Sequence, residues 1–579
     1  MSHTPNYDEK VKKILDELVP GERICVLTGE QWLMTDEEIG WYKKFNVPPP
    51  GHSPSASWLY LAHFSTGYQW WWNKHFDTGE PILSFIHPAS GLKVLPDKEW
   101  FARDFSKITQ DYQPNRSFFE QFKELQIKIP LAAFSTAVPA ENSIALVSFG
   151  DQDSYFVLAS KSKASFFCAL AKDVEDCSDC VSCSNLSSCH NIIQSERLHN
   201  CQFVRDSFDC LDSAFLFDCR NCESCFGATN RRNKKYLWFN EQLDQKEYEK
   251  RRASIDLGCR SQQEKYLKKF EELLLSDTFW PENYNIGGQN SSGDYLHDCV
   301  DCKNCFSLLS PGRGNYWCGY APGTSENSAW CWGLSGSSDC YFSLTPSKGH
   351  DCKFVWRCIG CDNCEYSANC YNCQNCFGCV GLQYKNFCIF NRQYNEEAYW
   401  QKLDEVKTNM LSRGEYGKFF PFLMTTGCPE YGGLVGYTNH PLSDVIKFGG
   451  KLFPACSEDA CGFEISKGRE KITAEVLPDS IDDYNDNWCN FSIEDKDLGR
   501  HFSYFKPELA HYRKNRIAPP NRHFIFRMFD HFKTMQLAQF EKRECLECHQ
   551  KILTSINVKY QQRKVFCKKC YADCIEKIN

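Results

Sequence analysis

The chain has 579 residues, 42% of them hydrophobic and 24% charged, with a formal net charge of −8. That composition excludes a disordered or collagen-like chain and predicts several globular domains of about 100–200 residues each. No stretch approaches the roughly 18 apolar residues of a membrane span, and the opening MSHTPNYDEKVKKILDELVPGE has no apolar leader core, so a cytoplasmic protein without membrane contact is expected.

The 36 cysteines then need a reason. In a reducing compartment they are thiols or metal ligands in preference to disulfides. Their distribution divides the chain into an N-terminal module (1–135), a first cysteine-rich block (140–243), a helical linker (244–290) and a second block (291–394). A helix (395–412), a linking region (413–499) and a basic, cysteine-bearing end (500–579) follow.

The N-terminal module is legible through the other end of the chain. Shifted by 470 residues without gaps, Gly499 falls on Gly29, Phe502 on Trp32, Glu508 on Glu38, Tyr512 on Tyr42, Lys514 on Lys44 and Pro519-Pro520 on Pro49-Pro50. The same shift sets Cys545, Cys548, Cys567 and Cys570 on His75, Thr78, Asp97 and Trp100. Thr78 and Trp100 cannot ligate a metal, so this module reads as a ribbon that has lost it. Tyr68, Trp70, Trp71 and Trp72 supply an aromatic core instead, and His75 and Asp97 read as ordinary polar residues. Ser117-Phe-Phe-Glu120 has the spelling of a capping box.

In the first block, cysteines 168, 177, 180, 183, 189, 201, 210, 219, 222 and 225 share one reading frame of three. In the second, 331, 340, 352, 358, 361, 364, 370, 373, 376, 379 and 388 do the same. A gapless shift of 151 residues lays Cys180, Cys189, Cys201, Cys210, Cys219, Cys222 and Cys225 on Cys331, Cys340, Cys352, Cys361, Cys370, Cys373 and Cys376, and Phe226-Gly227 on Phe377-Gly378. A strand places residues three apart on opposite faces, and an α-helix drifts off a three-residue period. A tight β-solenoid accommodates it: short strands, corners of Asn and Asp, and small thiols turned into a narrow interior. Zinc, iron–sulfur clusters, redox chemistry and disulfides stay open as alternative uses of these thiols.

After the first block, Asp244-Gln-Lys-Glu247 and Ser261-Gln-Gln-Glu264 read as helix starts, the second opening an amphipathic run to about Leu275. Asn395-Glu-Glu-Ala begins a helix to about Leu411 after the second block. Both sets of helices are placed to cap strand edges.

The last 80 residues carry 17 Lys and Arg against 7 Asp and Glu, which leaves −18 on residues 1–499. Cys545-x2-Cys548-x18-Cys567-x2-Cys570 has the spacing of a zinc ribbon, and four protein ligands mark a structural Zn²⁺ site with no open catalytic position. Upstream and within the ribbon, Arg513, Lys514, Arg516, Arg522, Arg527, Lys542 and Arg543 alternate with Tyr512, Phe524, Phe526 and Phe529, a pattern able to pair with phosphates and stack on bases.

The TGE…EE…WY…PPP opening (Thr28 to Pro50), the SFFEQF segment from Ser117, the paired NC..CFG…FN.Q. block ends and the EL..YRK…PP…CxxC…CxxC close resemble one family. It is that of the large cysteine-rich, zinc-ribbon-ended proteins of Patescibacteria, the candidate phyla radiation. The resemblance spans nearly the whole chain and implies architecture and not an activity. Members carry a cysteine where this chain has Asp495, so a second metal site there is in doubt, with Cys489 near by and Cys428, Cys456 and Cys461 unassigned.

The chain has no P-loop, no His-Glu-x-x-His, no nucleophile elbow and no placed G-x-G-x-x-G, which argues against an ordinary enzyme. The sequence predicts a mixed α+β protein with duplicated cysteine-lined solenoids between ribbon-like ends. Its first functional expectation is a non-enzymatic zinc-binding protein touching RNA, DNA or a ribonucleoprotein. The alternatives are a protein-interaction scaffold, with partners on the solenoid surface, and a redox or metal-handling protein using its thiols for an iron–sulfur cluster or several zinc ions.

Overall fold

The computed structural model describes residues 2–453 and 468–579, apart from 137, 322, 334–336, 339–340, 342–352 and 357. Cys340, Cys352, Cys456 and Cys461 therefore lie outside the described residues. The protein is mixed α/β and folds as two compact units, each built from two segments distant in sequence: Met1–Ala133 with Asn283–Pro454, and Phe134–Glu282 with Ala455–Asn579. The N-terminal module thus belongs with the second cysteine-rich block, and the C-terminal module with the first. No described helix is long and apolar enough to cross a membrane.

Both blocks are parallel ladders whose register step is twelve over much of their length, and eleven where Ile144 meets Tyr155 and Leu158 meets Ala169. His190 pairs with Gln202, Gln202 with Ala214 and Ala214 with Phe226. Asp362 pairs with Gln374 and Gln374 with Asn386. Positive φ recurs at every third residue, as at Asp173, Asp176, Asp179, Ser182, Asn185, Ser188 and Asn191. An ordinary residue pays roughly 1–2 kcal/mol for that left-handed backbone and Asn or Asp pays less, which is why Asn and Asp crowd this phase. Residues one step apart in the same phase also meet: Asn200 donates to Asp212 at 2.7 Å, Asn221 to Asn233 at 2.8 Å, and the rings of Phe203 and Phe215 stack at 4.8 Å.

Through the middle of each ladder the residue after a left-handed position is buried, while Arg231, Lys234 and Lys385 near the ladder ends are half-buried. Cys168, Cys177, Cys180, Cys183, Cys189, Cys201, Cys210, Cys219, Cys222 and Cys225 form one core with Val174, Leu186, Ile192, Leu198, Val204 and Leu216. Its counterpart in the second block includes Cys299, Cys302, Cys305 and Cys318, four cysteines that the reading frame of the sequence does not gather. The cause is local: Phe306 pairs with Gly319 and Gly312 with Ser325, steps of thirteen that move the frame by one residue at each turn.

These inward side chains are small for a second reason besides space. Turning the backbone every third residue points the next N–H into the interior, away from the strand ladder. Serines show what meets it: Ser195 Oγ accepts from the N–H of Ser207 at 3.1 Å, Ser207 Oγ from Cys219 at 3.0 Å, and Ser213 Oγ from Cys225 at 3.0 Å. The same hydroxyls donate to the carbonyl two residues back, as Ser195 to Ile193 and Ser207 to Arg205, both at 2.8 Å. Thiols repeat the pattern. Cys180 donates to Ser178 O and Cys201 to His199 O at 3.3 Å, and Asn391 N–H reaches Cys379 Sγ at 3.5 Å. No disulfide joins any of the 32 described cysteines.

Each ladder is turned back by a short antiparallel pair, Leu237 with Gln242 and Ile389 with Arg392. The helices Gln245–Ala253 and Glu396–Ser412 follow, capped by Asp244 and Asn395 through the N–H groups of Glu247 and Ala398 at 2.9 and 2.8 Å. Two expected capping boxes are corrected. The helix at Ser117 spans Phe118–Lys128, and Ser117 Oγ donates to Glu415, which also accepts the N–H of Phe118. The helix at Ser261 starts earlier, as Arg260–Ser276, and its first turn is held by Asp479 through the N–H and hydroxyl of Ser261. In both units the cap comes from the distant segment of the same unit, which a local pattern cannot reveal.

Ser207 is fully buried, so Ser207→Ala leaves the Cys219 N–H without its acceptor and should cost about 1–3 kcal/mol in denaturant unfolding. Ser207→Cys, restoring donor and acceptor, should recover most of that loss.

Candidate metal centre

The C-terminal tetrad is set by two tight turns. Strands Phe540–Glu544 and Lys551–Ser555 form a hairpin whose turn carries Cys545 and Cys548. Cys545 N–H donates to Gln550 O at 2.8 Å and His549 N–H to Cys545 O at 3.0 Å, with His549 left-handed at φ 59°. The second turn follows strand Val565–Phe566, and Cys567 caps helix Lys568–Ile578 by accepting the N–H of Cys570 at 3.5 Å. Leu546 N–H to Val565 O, at 3.0 Å, ties the turns together, and Cys567 N–H points to Cys545 Sγ at 3.3 Å. All four sulfurs lie within 4.8 Å of one another and can hold a metal ion. Burial raises the Cys545 thiol, but the N–H groups of Cys548, Cys567 and Glu547 outweigh it and bring the group down to about 6.

The same turn occurs three more times. Cys25 takes the N–H of Gly29 on its carbonyl at 2.9 Å between strands Gly21–Ile24 and Gln31–Met34. His75 takes that of Gly79 at 3.0 Å between Trp71–Lys74 and Pro81–Ser84. Asp495 takes that of Gly499 at 2.9 Å between Phe491–Asp495 and Arg500–Phe502. Each turn is followed by a helix whose N-cap stands where Cys567 stands: Ser53, Pro96 and His523. Each unit therefore contains two ribbons in succession.

What fills the metal position differs. At Asp495 the carboxylate accepts from His523 N–H at 2.9 Å and from Arg522 at 3.0 Å, an internal ion pair where a thiolate would bind metal. At Cys25 the neighbouring Ser53 and Ser55 both donate to Glu30. At His75 the gapless alignment is corrected by one residue. Trp100 N–H bonds Pro96 O at 2.9 Å as Tyr571 N–H bonds Cys567 O at 2.8 Å, so Pro96 and Glu99, not Asp97 and Trp100, match Cys567 and Cys570. Glu99 Oε2 lies 3.4 Å from His75 Nε2, and the Arg103 guanidinium bridges Glu99 and Asp77 at 3.2 and 2.6 Å. A cation already sits beside the two groups that could ligate. Trp100 is buried, its Nε1 on Pro130 O at 2.9 Å.

The basic residues expected to meet phosphates mostly meet the chain's own groups. Lys514 pairs with Asp176 at 2.7 Å, Arg516 with Asp256 and Asp482, Arg522 with Asp495, Arg527 with Asp179 at 3.1 Å and Arg543 with Glu541 at 2.7 Å. Arg513 donates to Tyr484 O at 3.1 Å, and Lys542 is exposed. Tyr512 is buried with its hydroxyl on Glu508 at 2.9 Å, and the Arg522 guanidinium covers the Phe526 ring at 3.5 Å.

One chemistry-bearing chain escaped the sequence. His511 Nδ1 lies 2.8 Å from Asp176 and its Nε2 2.9 Å from Ser178 Oγ, which lies 2.9 Å from His190 Nδ1. The order is that of a hydrolase triad, but Ser178 is 0% exposed and held between two imidazoles. The chain anchors helix Lys506–Lys514 to the first ladder. At the shifts of 470 and 151 residues the other unit has Trp41, Asn327 and Ala329, and Trp41 stacks on Tyr316 at 6.2 Å instead.

No family profile matches the chain, and no curated protein matches it. A solved structure described as a "putative acetyltransferase" from Desulfovibrio desulfuricans G20 is similar at 8% identity over 48% of this chain and 81% of that one, with a TM-score of 0.10, and carries no argument here.

Glu508 is fully enclosed in this module, and burial pushes its carboxyl up to about 7 against Arg527, the Phe505 N–H and Tyr512. An unfolded glutamate loses its proton near 4.3. The folded state therefore holds more protons between these values, and this group's contribution to stability is greatest at low pH and falls as pH rises to about 7. Unfolding of Glu508→Gln should lack that slope, gaining about 2 kcal/mol on wild type between pH 5 and pH 8.

Proposed function

We propose that the protein is a non-enzymatic interaction scaffold: two β-solenoid blocks with thiol-lined interiors, each backed by a pair of ribbons, and one structural zinc held by Cys545, Cys548, Cys567 and Cys570. The observation that carries this reading is the use to which the ladder cysteines are put. Serine and cysteine interchange at one inward position: Ser207 and Cys210 both donate to the carbonyl two residues back, and Ser207 accepts the N–H of Cys219 as Cys379 accepts that of Asn391, each twelve residues on. A metal ligand would not be replaceable by serine in this way. Among the described residues the C-terminal tetrad is the one group of three or more such side chains gathered tightly enough for a metal.

Zinc fits that tetrad by distance. Four thiolates at about 2.3 Å place their sulfurs about 3.8 Å apart, and Cys548 and Cys567 stand at 3.8 Å. The zinc would replace a hydrophobic core that two short hairpins cannot supply. A scaffold uses long ladder flanks as binding surfaces. Nucleic-acid contact is a separate proposal: of its seven basic residues, Lys542 alone is left without a bond to the chain among the described groups, and scaffold binding predicts no salt-dependent retention of RNA or DNA on filters.

Elemental mass spectrometry of anaerobically purified protein should give one zinc per chain, no iron and no visible absorbance. Cys548→Ser should lose the zinc and lower the melting temperature of the protein. Several metals per chain, or a chromophore, would establish the redox alternative.

A further inference from the structure

In the third ribbon the hairpin is not left as two strands. Glu470–Thr473 runs parallel along Phe491–Asp495, with Lys471 opposite Ser492 and Thr473 opposite Glu494. At the shift of 470 residues, Ser492 and Glu494 are Glu22 and Ile24 of the first ribbon. There, among the described residues, Gly21–Ile24 pairs on one side alone, with Gln31–Met34. The bond from Cys25 N–H to Glu30 O fixes the alternation, so the N–H groups of Glu22 and Ile24 point to the open side. Residues 2–8 do not fill it: the N–H groups of Asn6 and Tyr7 bind Asp404, and His3 stacks on Trp400.

The side chains beside the open edge have changed character too. Ile24 is 67% exposed, Val26 79%, Leu33 62% and Val19 61%. Their counterparts are Glu494, Lys496, Ser503 and Cys489. Ile24 and Leu33 share one face of the hairpin, as the partners Gln31 and Glu22 show. A protein that leaves an edge unused normally protects it with charge or proline. Here the open strand carries Glu22 and Arg23, but Ile24 and Leu33 give its hairpin an exposed apolar patch where the covered hairpin has Glu494 and Ser503. Clustered exposed apolar side chains beside an open edge are what strand addition requires: backbone bonds for affinity, side-chain contacts for choice.

We propose that the Gly21–Ile24 edge binds an extended segment of a partner protein as a parallel third strand, with apolar side chains opposite Glu22 and Ile24. The internal precedent supplies the direction and length, about four residues, and the exposed residues supply the chemistry. The inference deepens the scaffold reading and rests on it. Metal content and thiol state test that reading, whereas the edge amides test this one.

The experiment uses the full chain and a set of ten-residue fluorescein-labelled peptides in which Val, Ile, Leu or Phe alternates with Thr and Lys. Matched peptides carry Glu at the apolar positions. Apolar peptides should bind by fluorescence anisotropy, slow hydrogen exchange at the Glu22 and Ile24 amides by about tenfold or more, and lose about tenfold in affinity to Ile24→Pro. Leu33→Glu, on an exposed side chain, should lose as much if the proline variant misfolds. The proposal is overturned if no apolar peptide in the set binds, if the Glu peptides bind equally, or if neither substitution weakens binding. A wild-type dimer dissolved by Ile24→Pro would assign the edge to a second copy and overturn it as well.

Discussion

The inward-pointing N–H is the constraint on which both cysteine-rich blocks depend. A backbone that turns left-handed at every third residue cannot offer all its amides to a strand ladder. A buried amide left without an acceptor costs about 1–3 kcal/mol, and these blocks repeat the problem at every turn. Where the inward residue also serves an amide, it must fit a narrow interior, donate once and accept once, while Leu186, Ile192 and Val204 at other inward positions supply apolar surface alone. Serine and cysteine do all three, and cysteine adds apolar surface that lets it share a core with Leu186, Ile192 and Val204. Alanine fits but bonds nothing. The cysteines of the two ladder cores thus meet a demand that chain geometry itself creates.

The ribbons show the opposite economy. One turn geometry, in which a residue's carbonyl accepts an N–H four residues on, is built at Cys25, His75, Asp495 and Cys545. A full set of thiolates is present at the last alone. Elsewhere the position is filled by an Asp495–Arg522 ion pair, by a His75–Glu99–Arg103 cluster and by Ser53, Ser55 and Glu30. Such ribbons hold their shape through hairpin bonds, capped helices and packing, as Trp58 on Trp332 at 4.7 Å or Phe524 on Phe156 at 4.5 Å. The hairpin that carries Ile24 and Leu33 exposes apolar side chains where its counterpart has Glu494 and Ser503.

What the sequence could express was whatever repeats along it. The cysteine phase, the two duplications and the tetrad spacing were all readable because each is a regular offset. The misreadings share one cause, partners far apart in sequence. Glu415 and Asp479 cap helices that Ser117 and Ser261 seemed to cap. Asp176, Asp179, Asp256 and Asp495 pair with basic residues whose charge the sequence leaves open between nucleic acid and the acidic body of the chain itself. The assembly of each unit from two segments distant in sequence has no local signature, and the Asp176–His511–Ser178 chain follows from that assembly. Two smaller errors came from single inserted residues: the thirteen-residue steps that hid Cys299 to Cys318, and the shift that set Trp100 where Glu99 belongs.

Hydrogen exchange resolved to single amides in the native protein tests the central claim most directly. If thiols and hydroxyls carry the inward N–H groups, the amides of Ser207, Cys219, Cys225 and Asn391 exchange as slowly as ladder amides such as those of Ala214 and Phe208. Fast exchange at the inward amides alone, with the ladder amides protected, would contradict the account.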